Sequence, residues 1–290
     1  MPAELEAAAP SFAELQRDLS PSSPRAWRFA ALALASRAGA LLSDGLRIGH
    51  AHGFDSGPFM AHVYDDRPTG RTALGRRVDG RLLARRTCRA FREVRRLAHR
   101  AVLDAIDAHP GPAPVIADLA AGPAPYLLEA IARRPGAQAL VCDIDPSALT
   151  QVSAAARRLG VEDRVRALRA DAFDRDALRS LEPRPDVVIE LGLYGIYHDD
   201  ALIERHFRDL AELVGPEQIV LNVQTENPEI EYIARVWRDH RGERCVWRLR
   251  PAERLLGWAA AAGYRPGSVA ADSQRIYRVA RLERRERERA

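Results

Sequence analysis

Short apolar runs alternate with helical repeats from Val115 almost to the end of the chain, and this alternation restricts the fold more than any other feature. An apolar run of about four to eight residues reads as a strand buried on both faces. A helix between successive strands makes those strands parallel. The spacing predicts strands at Val115–Leu119, Ala139–Asp143, Val165–Arg169, Asp186–Leu191 and Gln218–Gln224. Helices are expected at Tyr126–Arg133, Pro146–Leu159, Arg175–Ser180 and Asp199–Val214, with an extra one at Pro228–Asp239. A strand-like Cys245–Leu249, a helix at Pro251–Ala262 and closing strands near Ser268–Ala271 and Arg275–Leu282 follow. The expected class is α/β, a mostly parallel sheet with helices on both faces.

Upstream the pattern is helical. The stretch to Pro24, rich in Ala, Ser and Pro, is expected to be loose. Trp27, Ala31, Leu34, Ala38 and Leu41 recur at helical spacing, and Gly45 and Gly49 are expected to end that helix. Turn formers crowd Gly53–Pro58. An Arg-rich helical region then runs from Leu74 to His109 with an apolar stripe of Leu82, Phe91, Val94, Leu97, Val102 and Ile106. Pro110–Pro114 breaks it. The expected domains are an N-terminal helical cap or extension over 1–110 and the α/β domain over 111–290. Glu283–Ala290 is a charge run expected to be solvated.

Composition excludes several classes. All 44 basic residues are Arg, a compositional bias before it is a functional sign. The net charge of +4 is mild, and the Arg residues are scattered without interleaved aromatics, which disfavours nucleic acid as a partner. Cys88, Cys142 and Cys245 lie far apart and suggest neither a disulfide framework nor a zinc cluster. The N-terminus lacks the basic segment and apolar core of a signal peptide. The apolar run from Phe29 to Leu42 is cut by Arg37 and too short to span a bilayer. A cytoplasmic enzyme is the expectation.

The chemistry concentrates at strand ends. Asp118 closes the first strand, and Ala120, Gly122 and Ala124 follow as small residues at alternate positions, where a ligand can approach the backbone closely. Asp143 closes the second strand about twenty residues on and can accept from the vicinal hydroxyls of a ribose. Ile144 follows it, and Asp145 is placed to cap the next helix. Asp171, after the third strand, is placed to accept an adenine amino group, with the Ala172 backbone on the ring edge and Phe173 near its plane. Only Gly122 of the turn is a glycine, and Pro123 and Pro125 remove donors that a pyrophosphate would need. The turn therefore suits a nucleoside ligand without phosphate, S-adenosylmethionine (SAM), better than a dinucleotide.

These segments resemble the class I SAM-dependent methyltransferases. Asp118-Leu119-Ala120-Ala121-Gly122-Pro123-Ala124 looks like their first motif, Asp143-Ile144-Asp145-Pro146 like their ribose motif and Asp171-Ala172 like their adenine motif. The resemblance implies a Rossmann-like, seven-stranded sheet whose last strand is antiparallel, with SAM as cofactor. More narrowly, Gly53-Phe54-Asp55-Ser56-Gly57, Val63-Tyr64, Gly192-Leu193-Tyr194, Val223-Gln224-Thr225 and Ile233-Ala234-Arg235-Val236 resemble a methyltransferase family sometimes fused to an α/β-hydrolase.

The fourth strand ends in Glu190-Leu191-Gly192-Leu193-Tyr194-Gly195-Ile196-Tyr197-His198. In the resembling fold this edge lies beside the transferable methyl group. Glu190 is placed to hold the SAM amino group or to pair with an Arg, and Gly192 keeps the edge clear. Tyr194, Tyr197 and His198 are candidates to line the acceptor pocket, with His198 as general base or as a mere neighbour of a helix cap. Asp55, His62 and Tyr64 in the cap, and the turn Val223–Asn227, are further acceptor candidates; the cap residues equally suit packing or a dimer contact. His198, Asp199 and Asp200 lack a fourth metal ligand, so no metal is expected. The expected acceptor is a small molecule, with a lipid-like one as the second choice, and self-association stays open. Two other readings remain: a SAM-using enzyme or inactive SAM-binding subunit that does not methylate, and a nicotinamide-dependent oxidoreductase, which the missing phosphate glycines oppose.

Overall fold

Strands β1 (Val115–Asp118), β2 (Gln138–Asp143), β3 (Val165–Arg169), β4 (Val187–Glu190), β5 (Gln218–Gln224), β6 (Tyr264–Ala271) and β7 (Tyr277–Arg284) form one sheet in the order β3-β2-β1-β4-β5-β7-β6. The first five are parallel. β7 runs antiparallel to both β5 and β6, as expected of the last strand. Every residue of β1, β4 and β5 is buried, which is why these strands are apolar runs rather than alternations. β3, at the sheet edge, carries Arg166 and Arg169 and is largely exposed, the polar character that discourages edge pairing. This is the computed structural model of the chain, and it describes residues 9–285.

Successive side chains of each strand enter opposite cores. Ile116, Val141, Val187 and Ile189 join one, with Val94, Ala98, Val102 and Ile106 of the long helix that precedes β1. Ala117, Leu140, Val188 and Ile219 join the other, with Ile203, Phe207, Leu255 and Ala259.

The chain divides into two compact units. One holds the residues up to Arg89 together with Glu226–Leu249, and the other holds Ala90–Thr225 and the chain from Arg250 onward. The first contains α1 (Phe12–Gln16), α2 (Pro24–Gly39), α3 (Asp44–His52), α4 (Gly57–Asp65) and α5 (Ala73–Leu83). Helix α6 (Arg86–Ala108) starts there and continues into the second unit. The second contains α7 (Pro125–Arg133), α8 (Pro146–Leu159), α9 (Arg175–Arg179), α10 (Leu193–Ile196) and α11 (Asp200–Asp209). The inserted segment 226–249 carries α12 (Ile230–Val236), and α13 (Ala252–Ala261) follows it. The division thus falls inside α6 rather than at Pro110–Pro114, because the apolar stripe of α6 packs on the sheet.

Several local expectations are corrected. The stretch before Pro24 is not wholly loose, since Ser11 and Glu14 form a reciprocal cap that starts α1. Helix α2 ends at Gly39, and Gly45 and Gly49 sit inside α3. A Cβ on Gly45 would come within 2.6 Å of His62 Nε2, so this glycine serves close packing, not termination. Leu74–His109 is two helices, α5 and α6. Cys245–Leu249 forms no strand; only an isolated bridge joins Arg238 and Arg244 nearby. The terminal charge run begins within β7, and its residues 286–290 lie outside the described ones. Among the described residues no helix is long and apolar enough to cross a membrane.

Candidate functional site

The carboxyl ends of β1, β2 and β4 hold the site. Asp118 is buried at the end of β1, where the Tyr126 hydroxyl donates to its Oδ2 at 2.6 Å while Oδ1 has no partner. Burial pushes this carboxyl up to about 8, against the pull of Tyr126 and with the added push of the Glu190 and Asp143 carboxylates. The chain then turns through Gly122 (φ 54°) and Ala124 (φ 43°), both left-handed. A non-glycine in that region costs about 1 kcal/mol or more, so Ala124 is held there by its surroundings. A Cβ placed on Gly122 would meet nothing within 4 Å, so its neighbourhood is open. Ala120 is half-buried, and Ala121 N–H donates to Cys142 O at 3.1 Å, tying the turn to β2.

Asp143 joins the turn directly. Its Oδ2 accepts from Gly122 N–H at 2.8 Å and its Oδ1 from Asp145 N–H at 2.8 Å. Asp145 caps α8 by accepting from Ser147 N–H, as its position before Pro146 suggested. Asp171, exposed, accepts from Phe173 N–H at 2.9 Å through Oδ1. Ile144, Ala170 and Asp171 line a recess of about 320 Å³ beside the ends of β2 and β3. Ala172 is buried, and the Phe173 ring lies 4.5 Å from that of Tyr197 and 4.7 Å from that of His206.

At the end of β4, Glu190 pairs with a histidine rather than an Arg. His206 Nε2 lies 2.9 Å from Glu190 Oε1, both side chains being buried. Glu190 Oε2, His206 Nδ1, the Tyr194 hydroxyl and Gln224 Nε2 are all buried without a partner. Gly192 takes φ 78° and donates to Asn222 Oδ1 at 2.8 Å, and a Cβ placed on it would meet nothing within 4 Å. Tyr194 lies in the core against Phe207, and burial together with the Glu190 carboxylate keeps its hydroxyl well above the ordinary range. His198 is exposed, just before the Asp199 cap of α11. Arg250, almost wholly buried, fixes this edge from below: it donates to the Tyr194 and Tyr197 carbonyls and pairs with Asp200 at 2.9 Å.

Sequence reasoning missed Tyr126, His206, Asn222 and Arg250. His206 left a signal, since Ile203, His206, Phe207 and Leu210 share one helical face, and a histidine on an apolar face needs a partner.

Asp55, His62 and Tyr64 of the cap sit in the first unit, where Asp55 and His62 have bonded partners. Asp55 Oδ2 lies 2.9 Å from His240 Nδ1, and Asp55 Oδ1 accepts from His240 N–H at 2.8 Å. His62 Nε2 lies 2.9 Å from the buried Asp79, which also accepts from Ser43 Oγ and the Gly45 and Thr69 N–H groups. Phe54 stacks on Trp237 at 4.8 Å, and a Cβ on Gly53 would come within 2.3 Å of His240 N. Tyr64 is half-buried on α4.

Glu190, buried with a spare oxygen, and Asp118, a carboxyl that ionises once a cation lies beside it, can attract a cationic ligand next to an open turn of small residues. Pro123 and Pro125 leave the start of α7 poor in the donors a phosphate would need. YnbC of Escherichia coli (strain K12), itself uncharacterized, is 30% identical over 249 residues, which is 84% of this chain and 43% of that one. The chain therefore spans less than half the length of that relative. A "possible exported protein" from Bordetella parapertussis superposes with TM-score 0.63 at 18% identity, over 92% of this chain and 100% of that one. Magnesium protoporphyrin IX methyltransferase from Synechocystis PCC 6803, solved with S-adenosylhomocysteine (SAH) bound, superposes with TM-score 0.55 at 12% identity, over 81% of this chain and 98% of that one. Likeness at such identities establishes the shared fold. Residues 4–284, nearly the whole chain, match the family described as "Putative methyltransferase", and the chain belongs to that family.

Proposed function

We propose that this protein moves a methyl group from SAM to a small-molecule acceptor by in-line displacement. The observation that carries the reading is the open Gly122 turn bonded to Asp143, beside the buried Asp118 and Glu190 with their unpartnered oxygens. Those residues fit the group: a ribose acceptor, room at the backbone and negative charge for a cationic ligand. SAM, when bound, supplies an electrophilic methyl group on a sulfonium that leaves readily.

The chain's residues bind, orient and exclude water. Asp143 accepts from the ribose hydroxyls. Asp171, Ala172 and Phe173 hold the adenine, with Ile144 against it. Glu190 holds the ammonium of the amino-acid part, Asp118 joins it by giving up its proton as the cation arrives, and Ala120, Gly122, Ala124 and Gly192 keep side chains away. Tyr194, whose hydroxyl stays protonated, is a hydrogen-bond donor and not a base. His198, exposed at the same edge, takes the acceptor's proton. A cytoplasmic setting belongs to the same reading.

Calorimetry with SAH tests the binding, and mass spectrometry of SAM incubated with candidate acceptors tests the reaction. SAH as product is expected. Methylthioadenosine would show cleavage of another bond of SAM. No binding of either ligand at about 1 mM, where even weak sites fill, overturns the reading.

A further inference from the structure

No acidic residue occurs between Asp18 and Asp44. Within that stretch α2 turns Phe29 and Ser36 inward, while Trp27 and Leu34 face solvent at 70% exposure each and Leu41, in the turn after α2, is 72% exposed. Trp27 and Leu34, seven apart, fall on one line of the helix, since seven residues make nearly two turns. The exposed Ala31 and Ala38 complete the line. Leu74, 58% exposed, opens the neighbouring α5, whose Gly75 is so close to the Leu42 carbonyl that a Cβ would come within 2.2 Å of it. Single exposed apolar residues are ordinary, but a contiguous line of large ones marks an interaction surface. The sequence pattern that announced this helix is thus the face the fold leaves uncovered.

Charge decides what covers it. At about 100° per residue, Arg28 lies about 100° to one side of the Trp27 line and Arg37 about 80° to the other. Both are exposed, as are Arg71, Arg76 and Arg77 around Leu74, and none of the five pairs with a carboxylate among the described residues. Asp44 is occupied by Arg47 at 2.8 Å, and Asp79 is buried. Two copies packed through α2 would carry Arg from both helices along each flank with no acid on α2 itself to offset it, so a second copy is a poor occupant. The Trp27 indole N–H already donates to Pro21 O at 2.6 Å, so its ring can enter an apolar medium with its donor satisfied.

We propose that this face docks on an anionic lipid bilayer, with Trp27, Leu34, Leu41 and Leu74 at the headgroup–acyl boundary and Arg28, Arg37, Arg71, Arg76 and Arg77 against lipid phosphates. The proposal is independent of methyl transfer. Flotation of the full chain with vesicles tests it. The chain should float with phosphatidylglycerol-containing vesicles and not with pure phosphatidylcholine, and binding should fall as salt rises from about 0.05 to about 0.5 M. Leu34→Glu with Leu41→Glu should lower vesicle partition about 10-fold or more, and Arg28→Gln with Arg37→Gln should weaken it at low salt. Leu159→Glu, at an exposed leucine of α8, should leave it unchanged. Circular dichroism confirms that the variants stay folded. Absence of flotation with phosphatidylglycerol vesicles overturns the proposal, as does binding indifferent to the leucine and arginine substitutions. A dimer in sedimentation that Leu34→Glu converts to monomer overturns it too, by assigning the face to a second copy.

Discussion

His206 Nε2 and Glu190 Oε1 lie 2.9 Å apart, sealed from solvent, with the second nitrogen of one and the second oxygen of the other unpartnered. Removing either partner strands the other, and an unsatisfied buried polar group costs about 1–3 kcal/mol. His206→Leu and Glu190→Leu should therefore each lower stability by at least that amount. Replacing both by leucine should cost less than the two single changes combined, because no orphan remains. Urea unfolding of the four proteins measures the coupling. Glu190→Gln keeps a hydrogen-bonding partner for His206 and removes the charge, so on the proposed reading it should weaken SAM binding more than it weakens the fold.

Asp118 and Asp79 give the two units opposite responses to pH. Asp118 rises from its ordinary 3.8 to about 8, so between those values the folded protein holds a proton the unfolded chain lacks. Stability must then fall as pH rises through that window. Asp118→Asn should remove the slope, raising the urea midpoint over wild type at pH 8 and leaving it alike near pH 4. Burial alone would raise Asp79 as well, but hydrogen bonds from His62, Ser43, Thr69 and Gly45 hold it below its ordinary value. Its contribution is present above that ordinary value and is lost as pH falls through the lowered one. Asp79→Asn should flatten the acid limb of the stability profile.

The inner strands were legible because β1, β4 and β5 are buried on both faces and so read as mostly apolar runs. Helix α8 was legible to the residue, because Asp145 caps it, Pro146 begins it and the left-handed Gly160 ends it. Periodicity misled where it reports a face without saying what covers it: Trp27, Ala31, Leu34 and Ala38 marked a helix but not a core, and Leu41 lies beyond its end. The segment 226–249 gave no local sign that it belongs with the first unit, since Trp237 reaches Phe54 and Phe59 only through the folded chain. The segment Gly53–Gly57 was legible as a turn, but its packing was not: Gly53 and Phe54 pack against other side chains and backbone of the first unit. At the site, strand-end acids were visible as residue types, whereas Tyr126, Asn222 and Arg250 act through contacts that no spacing encodes.

Gly122 separates strain from ligand approach. Its φ of 54° disfavours a side chain, but a Cβ would touch nothing in the protein. Gly122→Ala should cost about 1–2 kcal/mol of stability, the left-handed penalty alone. If the space belongs to SAM, affinity for SAH should fall by much more than backbone strain explains. Calorimetry and thermal unfolding of the same variant read the two effects separately, and an unchanged affinity would mean that the ligand does not approach this turn.

Asp143 is the sharper test because it already has two backbone donors. Its oxygens accept from Gly122 and Asp145, so the carboxylate is oriented before any ligand arrives. A preoriented acceptor loses little on binding, and a charge-assisted pair with ribose hydroxyls is worth about 1–3 kcal/mol. Asp143→Ala should weaken SAH binding by that amount, roughly 5- to 150-fold in affinity. It should also loosen the turn. Asp143→Asn distinguishes the two, since its carbonyl oxygen can still accept from one backbone N–H while the charge is gone. If Asn restores stability but not affinity, the charge acts on the ligand. If Asn restores both, Asp143 only shapes the turn, and the ribose contact must be sought elsewhere along the edge of β2.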